Sequence, residues 1–496
     1  MTTQEPARTS EDSLDPEDWD ALRDLAHRLV DDAFAYQRSV RDRPAWQPIP
    51  ADIQQRFTSP PPAEGRGFEA AYEDFTRDVL PYPMGNLHPR FFGWVIPSGS
   101  PSAALADFLA AMWNPNVGGA HQAAMLVENQ VIDWFQSIIG YPDDSSGVLV
   151  SGGSLANLHG LQVARNVKAA EAGVGVRKSG LRNAPLMRVY CSDETHSSVQ
   201  RAVEALGMGS ESVVSIPTDE AFRVSLGALQ TAIDDDRAAG HLPICVVGTA
   251  GSTNTGSIDD LEAVANLCGR ENLWFHVDGA IGAVAAISPR LKPLIAGIER
   301  ADSIAFDLHK WMSMPYDIGC VLVRSAKQHY ETFTLTPDYL AHGNRGLAGA
   351  EIWFSDYGLE LTRPFRALKA WMLIKEHGTG KYARLMEQSF DQALHVRDLV
   401  EAAPELELLS EPSLMIICFR YRAGGATDEQ LDALNEELVF RIQEQGIAVP
   451  SGTRIRDRYA IRMCILNHRT EQSDLDLTVR EVIRIGDELR AEMLGR

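Results

Sequence analysis

The stretch Asp302-Ser303-Ile304-Ala305-Phe306-Asp307-Leu308-His309-Lys310-Trp311 places a lysine a few residues beyond a short apolar run. Upstream, Leu273-Trp274-Phe275-His276-Val277-Asp278-Gly279-Ala280 is a second strand-like run, and it ends in a carboxylate. Both belong to a longer series. Short apolar segments at 148–150, 187–191, 244–247, 273–277, 303–306 and 320–323 alternate with helical patterns at 155–168, 198–206 and 261–268. Strands this short and apolar, separated by helices, predict an α/β fold with a mainly parallel sheet covered on both faces. Ligands bind such sheets beyond the carboxyl ends of the strands. Asp278 ends one strand and Lys310 follows another, so the two are expected to share a site. Any lysine alone is more often a surface residue; the pairing carries the reading.

A lysine and an aspartate so placed suit pyridoxal 5'-phosphate chemistry. The amine forms a Schiff base with the cofactor aldehyde, and the carboxylate keeps the pyridine nitrogen protonated. Ser151-Gly152-Gly153-Ser154 follows a strand run and opens a helix. Glycines there let the backbone approach closely, and helix N-terminal amides with a hydroxyl favour a phosphate. A capped strand-to-helix turn is the plainer reading of that tetrapeptide; Lys310 and Asp278 tip it toward a phosphate cradle. His196, in Thr195-His196-Ser197-Ser198, follows the 187–191 run and is placed to stack on the cofactor ring. The hydroxyl- and glycine-rich segment Gly248-Thr249-Ala250-Gly251-Ser252-Thr253-Asn254-Thr255-Gly256 suits contact with a polar cofactor edge, and suits a solvated loop equally.

The 496 residues suffice for two or three domains. A formal net charge of -22 argues against a nucleic-acid partner. No apolar run approaches a membrane span, and the N-terminus shows no secretion signal. The six cysteines form no Cys-x-x-Cys pair and mostly lie in apolar runs. They read as buried reduced thiols, with neither disulfides nor a metal site expected. A cytoplasmic location follows as the expectation. Residues 1–17 are polar and acidic and are expected to be disordered. Helical spacing of Leu22, Leu25, Leu29 and Val30 then gives way to a Pro-rich stretch. Beyond about residue 377, a helical pattern at 431–439, a strand at 459–466 and a helix at 475–489 predict a small α+β domain.

Ser151-Gly152-Gly153-Ser154-Leu155-Ala156-Asn157, His196-Ser197-Ser198-Val199, His276-Val277-Asp278-Gly279-Ala280 and His309-Lys310-Trp311 occur in the order seen in the group II pyridoxal phosphate-dependent decarboxylases. The sequence resembles the aromatic L-amino acid decarboxylase branch most. His88-Pro89-Arg90-Phe91-Phe92-Gly93-Trp94, Glu128-Asn129-Gln130-Val131-Ile132-Asp133-Trp134 and Arg363-Pro364-Phe365-Arg366-Ala367-Leu368-Lys369 extend the likeness over roughly residues 20–490. The resemblance implies fold type I: an N-terminal helical, dimerising segment over 1–101, a large cofactor-binding domain over 102–376, and a small domain over 377–496. It implies an intertwined homodimer with active sites at the interface. Lys310 would carry the cofactor beside His309, and Asp278 would pair with the ring nitrogen. His196 would stack on the ring, Gly153 and Ser154 would hold phosphate, and Thr253 would contact the cofactor. Pro97 and Ser98 fall where the family lines the substrate side-chain pocket.

The sequence departs from the family at two places. Asp307-Leu308 stand where the family usually has Asn-Pro, and an aspartate near a phosphate repels it unless it turns away or finds a partner. Counting back from Arg363 without gaps puts Phe354, not tyrosine, at the mobile-loop position of the proton donor, with Tyr357 nearby. The expected reaction is decarboxylation of an L-amino acid, aromatic by resemblance, to the amine and carbon dioxide, with His196 and Tyr357 as candidate donors. In the family a phenylalanine at this loop position goes with oxidative deamination to an aldehyde, as in the aromatic aldehyde synthases. An acidic substrate such as glutamate, another reaction on the shared fold, and a decayed non-catalytic binding protein are the further alternatives.

Overall fold

The computed structural model describes residues 13–182, 184–335 and 343–495. Of the segment expected to be disordered, residues 1–12 lie outside the described residues, as do residues 336–342. The chain divides into two compact units, one ending at Arg43 and resuming over Ile49–Pro83, the other comprising Pro44–Pro48 and Met84 onward. The first unit holds helices α1 (Trp19–Ser39), α2 (Ala51–Arg56) and α3 (Phe68–Asp78). Asp18 caps α1 by accepting from Ala21 N at 2.9 Å. Tyr72 Oη donates to Asp32 at 2.7 Å and ties α3 to α1.

The second unit opens with α4 (Pro101–Trp113), α5 (Ala123–Ile139) and β1 (Ser146–Val150). There follow α6 (Gly153–Glu171), α7 (Val176–Ser179), β2 (Met187–Ser192), α8 (Ser198–Ala205) and β3 (Val213–Ile216). Next come α9 (Leu226–Ala238), β4 (Leu242–Thr249), α10 (Leu261–Glu271), β5 (Trp274–Asp278), β6 (Ser303–Asp307), β7 (Gly319–Val323) and α11 (Ala326–Phe333). The strands form one seven-stranded sheet in the order β1-β7-β6-β5-β4-β2-β3. From β3 to β6 every pairing is parallel. β7 runs antiparallel to both β6 and β1. The strand carrying Asp278 and the strand leading to Lys310 are therefore parallel neighbours, and their carboxyl ends share one edge.

α6 crosses the sheet over this edge, and a single glycine sets how close it comes. A Cβ at Gly160 would fall 2.6 Å from His276 Cε1 on β5. Behind the start of α6, Arg363 and Glu128 form a buried ion pair, exposed by 1% and 0%. The guanidinium also donates to Val117 O at 2.8 Å and Leu149 O at 2.6 Å. Burial pushes the Glu128 carboxyl up, and Arg363 opposes it. The pair anchors the segment after the mobile loop to β1, two residues before the glycine turn.

The chain continues through α12 (Ala367–Ala402), kinked where Gly378 takes φ 68° and ψ 159°. β8 (Leu406–Ser413), β9 (Ile416–Tyr421), α13 (Asp428–Glu444), β10 (Ser451–Ile455), β11 (Arg458–Cys464) and α14 (Gln472–Leu494) follow. The strands make an antiparallel sheet in the order β10-β11-β9-β8. α13 and α14 bury Leu434, Leu438, Val482 and Ile485 in one cluster with Phe419 and Ile461 of that sheet. The expected helices and strand of this region correspond to α13, β11 and α14.

His159, on the outward side of α6, is buried, and burial pushes its pKa down to about 4. Its Nδ1–H donates to Leu155 O at 2.7 Å, and its Nε2 accepts from Leu359 N at 3.1 Å, so the folded chain holds the neutral ring. Its folded pKa lies below the ordinary 6.5, so the unfolded chain takes up this proton first on acidification. The stability it contributes is present above pH 6.5 and is lost toward pH 4, at about 1.4 kcal/mol per pH unit. His159→Gln is expected to flatten the stability-against-pH curve by about that slope between those limits, read by denaturant unfolding. An unchanged slope would show that His159 does not titrate on unfolding.

Candidate active site

At the carboxyl edge of the large sheet lies a cavity of about 300 Å³, lined among others by Gly152, Gly153, Ser154, Asn157, His196, Ser198, Asp307, His309 and Lys310. Each arrives from a strand end or the turn that follows one. Gly153 and Ser154 begin α6 after β1, His196 follows β2, and Lys310 follows β6. Asp278 closes β5, is 5% exposed, and faces the wall formed by Asn157.

A hydrogen-bond relay joins these groups. The Asn157 amide nitrogen donates to Asp278 Oδ2 at 3.0 Å and to Ser198 Oγ at 2.9 Å. Its carbonyl oxygen pairs with His276 Nε2 at 2.9 Å. His276 Nδ1 meets Ser303 Oγ at 2.7 Å, which accepts from Trp274 Nε1 at 2.8 Å. Only one proton arrangement satisfies the chain: Ser303 donates to His276 Nδ1, and His276 Nε2–H donates to Asn157. Burial pushes the His276 pKa down to about 3, in keeping with a neutral ring. At the other end, Ser198 Oγ already accepts from Asn157 and so donates its own proton to His196 Nδ1 at 2.8 Å. Ser198 N–H donates to the same nitrogen at 3.2 Å. With two donors on Nδ1, the neutral ring of His196 carries its proton on Nε2. Burial lowers the His196 pKa and Asp278 opposes that shift.

The glycine turn is a close-packed cradle. α6 has no side-chain cap, which leaves its first amides available to an anion. A Cβ at Gly153 would fall 2.9 Å from Asp307 Oδ2 and 3.1 Å from the Ala280 Cβ. Asp307 therefore sits against the turn. Its Oδ2 pairs with Lys310 Nζ at 3.0 Å, and its Oδ1 is buried without a hydrogen-bond partner among the described residues. His309 is buried beside them: Ile318 N donates to its Nδ1 at 3.3 Å, and its ring lies 4.9 Å from that of Tyr316.

Other residues singled out from the sequence lie outside this wall. Pro97 and Ser98 are buried in the segment before α4, where Pro97 O accepts from Asn86 Nδ2 at 2.7 Å. Thr253 is half-buried in the loop after β4. The neighbouring Asn254 O accepts from Arg462 Nε of β11 at 3.0 Å. Phe354 is 2% exposed beneath the Arg363 guanidinium, 5.1 Å from ring centre to Cζ. Tyr357 packs edge-on against His329 at 5.2 Å and lies 5.8 Å from Tyr330. Two buried polar residues near the site were given no role by sequence reasoning. Asn157 stood in a quoted motif with no role of its own, although its position one helical turn into α6 would have set it over β5. Arg462, buried with Nη2 unpartnered, sits in an ordinary strand pattern and gave no signal.

The chain matches the model of the pyridoxal-dependent decarboxylase conserved domain over residues 50–422. It is 34% identical over 472 residues to an aromatic-L-amino-acid decarboxylase of Bacillus atrophaeus, covering 94% of this chain and 96% of that one. To the aromatic-L-amino-acid decarboxylase of Sus scrofa it is 28% identical, covering 96% and 98%. The crystal structure of Oryza sativa TDC with PLP and tryptamine superposes with a TM-score of 0.89 at 27% identity, covering 96% and 100%. The chain belongs to the pyridoxal-dependent decarboxylase family. It is an amino acid carboxy-lyase of fold type I, and its cofactor is pyridoxal 5'-phosphate. The site fits that group: a glycine cradle with uncapped amides, a lysine, and a carboxylate held by donors. Asp307 is the exception.

Asn157→Ala would leave His276 Nε2–H buried and unpaired and Asp278 Oδ2 without its donor. Unfolding is expected to show a loss of about 1–3 kcal/mol. Steady-state assays are expected to show kcat down at least about tenfold with KM little changed, because the chain is altered where it orients the Asp278 carboxylate. Full activity in a folded Asn157→Ala chain would remove the relay from the mechanism.

Proposed function

We propose that the protein decarboxylates an aromatic L-amino acid to the amine and carbon dioxide, using the groups that converge beyond β5 and β6. The observation that carries the site assignment is the convergence of Lys310, the Asn157–Asp278 relay and the glycine cradle in one cavity. Similarity to aromatic-L-amino-acid decarboxylases over nearly the whole chain supports the substrate class. Bound pyridoxal 5'-phosphate supplies an electron sink for the pair left behind when carbon dioxide departs.

This chain's residues do the rest. Lys310 is the residue whose amine would hold the cofactor aldehyde. Asp278, with Oδ2 held by Asn157 and Oδ1 held by Ala280 N at 3.2 Å, keeps a proton at the ring nitrogen. His196 presents its Nε2 side to the cofactor face, its neutral ring fixed by Ser198. Gly153 and Ser154 hold the phosphate with backbone amides and a hydroxyl. His309 flanks Lys310; Thr253, Pro97 and Ser98, which lie outside the cavity wall, would serve the cofactor edge and the substrate side chain only by the resemblance. Tyr357 and His196 are the candidate donors to the substrate carbon.

A second reading has a specific basis. The loop position that favours simple protonation holds Phe354, and the Tyr357 ring packs against α11 through His329 and Tyr330. Without a donor, dioxygen would act as oxidant and, with water, the outcome would be aldehyde, carbon dioxide, ammonia and hydrogen peroxide. An acidic substrate is a third reading, tested by the same screen.

We also propose a homodimer, with the division at residues 1–101, 102–376 and 377–496 as its plan. α4 leaves Phe108, Met112 and Trp113 exposed by 55%, 66% and 73%, with Leu105 and Leu109 of the same helix and Leu126 of α5 also exposed. An apolar face of this kind suits a protein interface. Among the described residues no helix is long and apolar enough to cross a membrane. All six cysteines are buried and free, which favours a reducing compartment such as the cytoplasm.

Incubation with L-tryptophan, L-tyrosine, L-phenylalanine and L-glutamate, following carbon dioxide, amine and peroxide together, tests the three readings. Amine and carbon dioxide in equal amounts from an aromatic substrate are expected, and stoichiometric peroxide would establish the second reading. Lys310→Ala is expected to abolish turnover and the visible-edge absorbance of the bound cofactor. A dimer in sedimentation that dissociates in Trp113→Glu is the expected assembly result.

A further inference from the structure

Asp307 is 2% exposed, and its two oxygens have unequal surroundings. Oδ2 pairs with Lys310 Nζ, whereas Oδ1 has no partner. A Cβ built at Gly152 would fall 3.5 Å from Oδ1, and one at Gly319 would fall 2.8 Å from it. The unpartnered oxygen is therefore buried between Gly152 of the cradle and Gly319 of β7, and the carboxyl as a whole, with Oδ2 toward Gly153, stands against the cradle. A phosphate monoester loses its second proton near pH 6 and then offers only acceptors. Acceptor against acceptor is repulsive; one proton between them makes a donor–acceptor pair.

No group around Asp307 removes the conflict. Lys310 is engaged by the cofactor aldehyde. His309 Nε2 stands 3.8 Å from Oδ2, beyond hydrogen-bond range, and burial with the nearby Lys310 keeps its ring neutral. His196 lies across the cavity, kept neutral by burial. Tyr316, on the turn before β7, is pushed up to about 12 by burial and by Asp307 itself. Gly152 and Gly153 from the cradle and Gly319 from β7 bring no charge.

We propose that Asp307 makes cofactor binding proton-linked: one proton is taken up from solvent and shared between the Asp307 carboxyl and a phosphate oxygen as the phosphate seats on Gly152–Ser154. The inference rests on the reading of that turn as the phosphate seat. Cofactor affinity then falls as pH rises, and Asp307→Asn, whose amide donates without an added proton, escapes the dependence.

The test is titration of pyridoxal 5'-phosphate into the cofactor-free chain and D307N between about pH 6 and 9, a span above the phosphate's own ionisation. It is repeated in K310A and D307N/K310A to remove the Schiff base and its own pH dependence. The Kd ratio of the parent to D307N is expected to rise with pH by up to about tenfold per unit. Calorimetry in buffers of different ionisation heat is expected to show about one proton more taken up by the parent chain. Pyridoxal, lacking the phosphate, should not distinguish the two. Equal proton uptake, or weaker binding by D307N across the range, overturns the inference. Ser154→Ala separates this from failure of the seat: it should weaken pyridoxal 5'-phosphate and spare pyridoxal. If it spares both, the seat is wrong; if the seat holds and proton uptake is equal, only the role of Asp307 falls.

Discussion

The site depends on the amide of Asn157. Among the described residues, it is the side chain that touches Asp278, the serine fixing His196, and the imidazole buried between α6 and β5. An amide suits that position because it donates twice and accepts on its other atom, so each neighbour is given a definite proton state. A carboxylate there would repel Asp278, and an aliphatic side chain would strand His276. Burial raises the stakes, since each unmet group would cost a full desolvation penalty.

That amide can reach its partners only because the helix lies close to the sheet. Gly160 sits one turn along from Asn157, and any larger residue would drive α6 away from His276. The same nearness excludes water from the relay and keeps His276 neutral. Arg363 and Glu128 hold the other side of the same corner. By fixing Leu149 and Val117 they set where β1 delivers the glycine turn, and they tether the segment that follows the mobile loop. Packing, not the chemistry of the site, determines where the chemistry can occur.

Much of this was legible in the sequence because it lies in periodic patterns and strand ends. The apolar runs gave six of the strands of the large sheet, and Lys310 with Asp278 marked its working edge. β3 was missed because a four-residue edge strand with half-buried positions has no strong apolar signature. The antiparallel insertion of β7 was not visible either, since direction depends on the connection from β6 rather than on composition. Around the site, residues at strand ends were found, and residues that act through a neighbour were not. Asn157 and Arg462 are ordinary polar residues until the fold supplies their partners. Phe354 and Tyr357 were found by counting along the chain, which fixes their order but not which side chains they pack against.

Asp278 and Asp307 are the same residue type at the ends of adjacent strands, yet in the proposed site they would face opposite ends of one cofactor. The difference lies in their donors. Asp278 has one for each oxygen, from Asn157 and from the backbone of Ala280, so the carboxyl is held in one orientation, as the proposed pairing with the ring nitrogen would require. Asp307 has a cation on one oxygen and nothing on the other, beside a turn built to attract a second anion. Two like unit charges about 4 Å apart repel by about 4 kcal/mol at an effective dielectric near 20. A repulsion of that size is comparable to several hydrogen bonds to phosphate, so the cradle cannot hold its ligand firmly unless a proton or a cation stands between the two. The charge on Lys310 therefore matters beyond its nucleophilic nitrogen: as long as it faces Asp307, it also neutralises the one group in the cradle that opposes the phosphate.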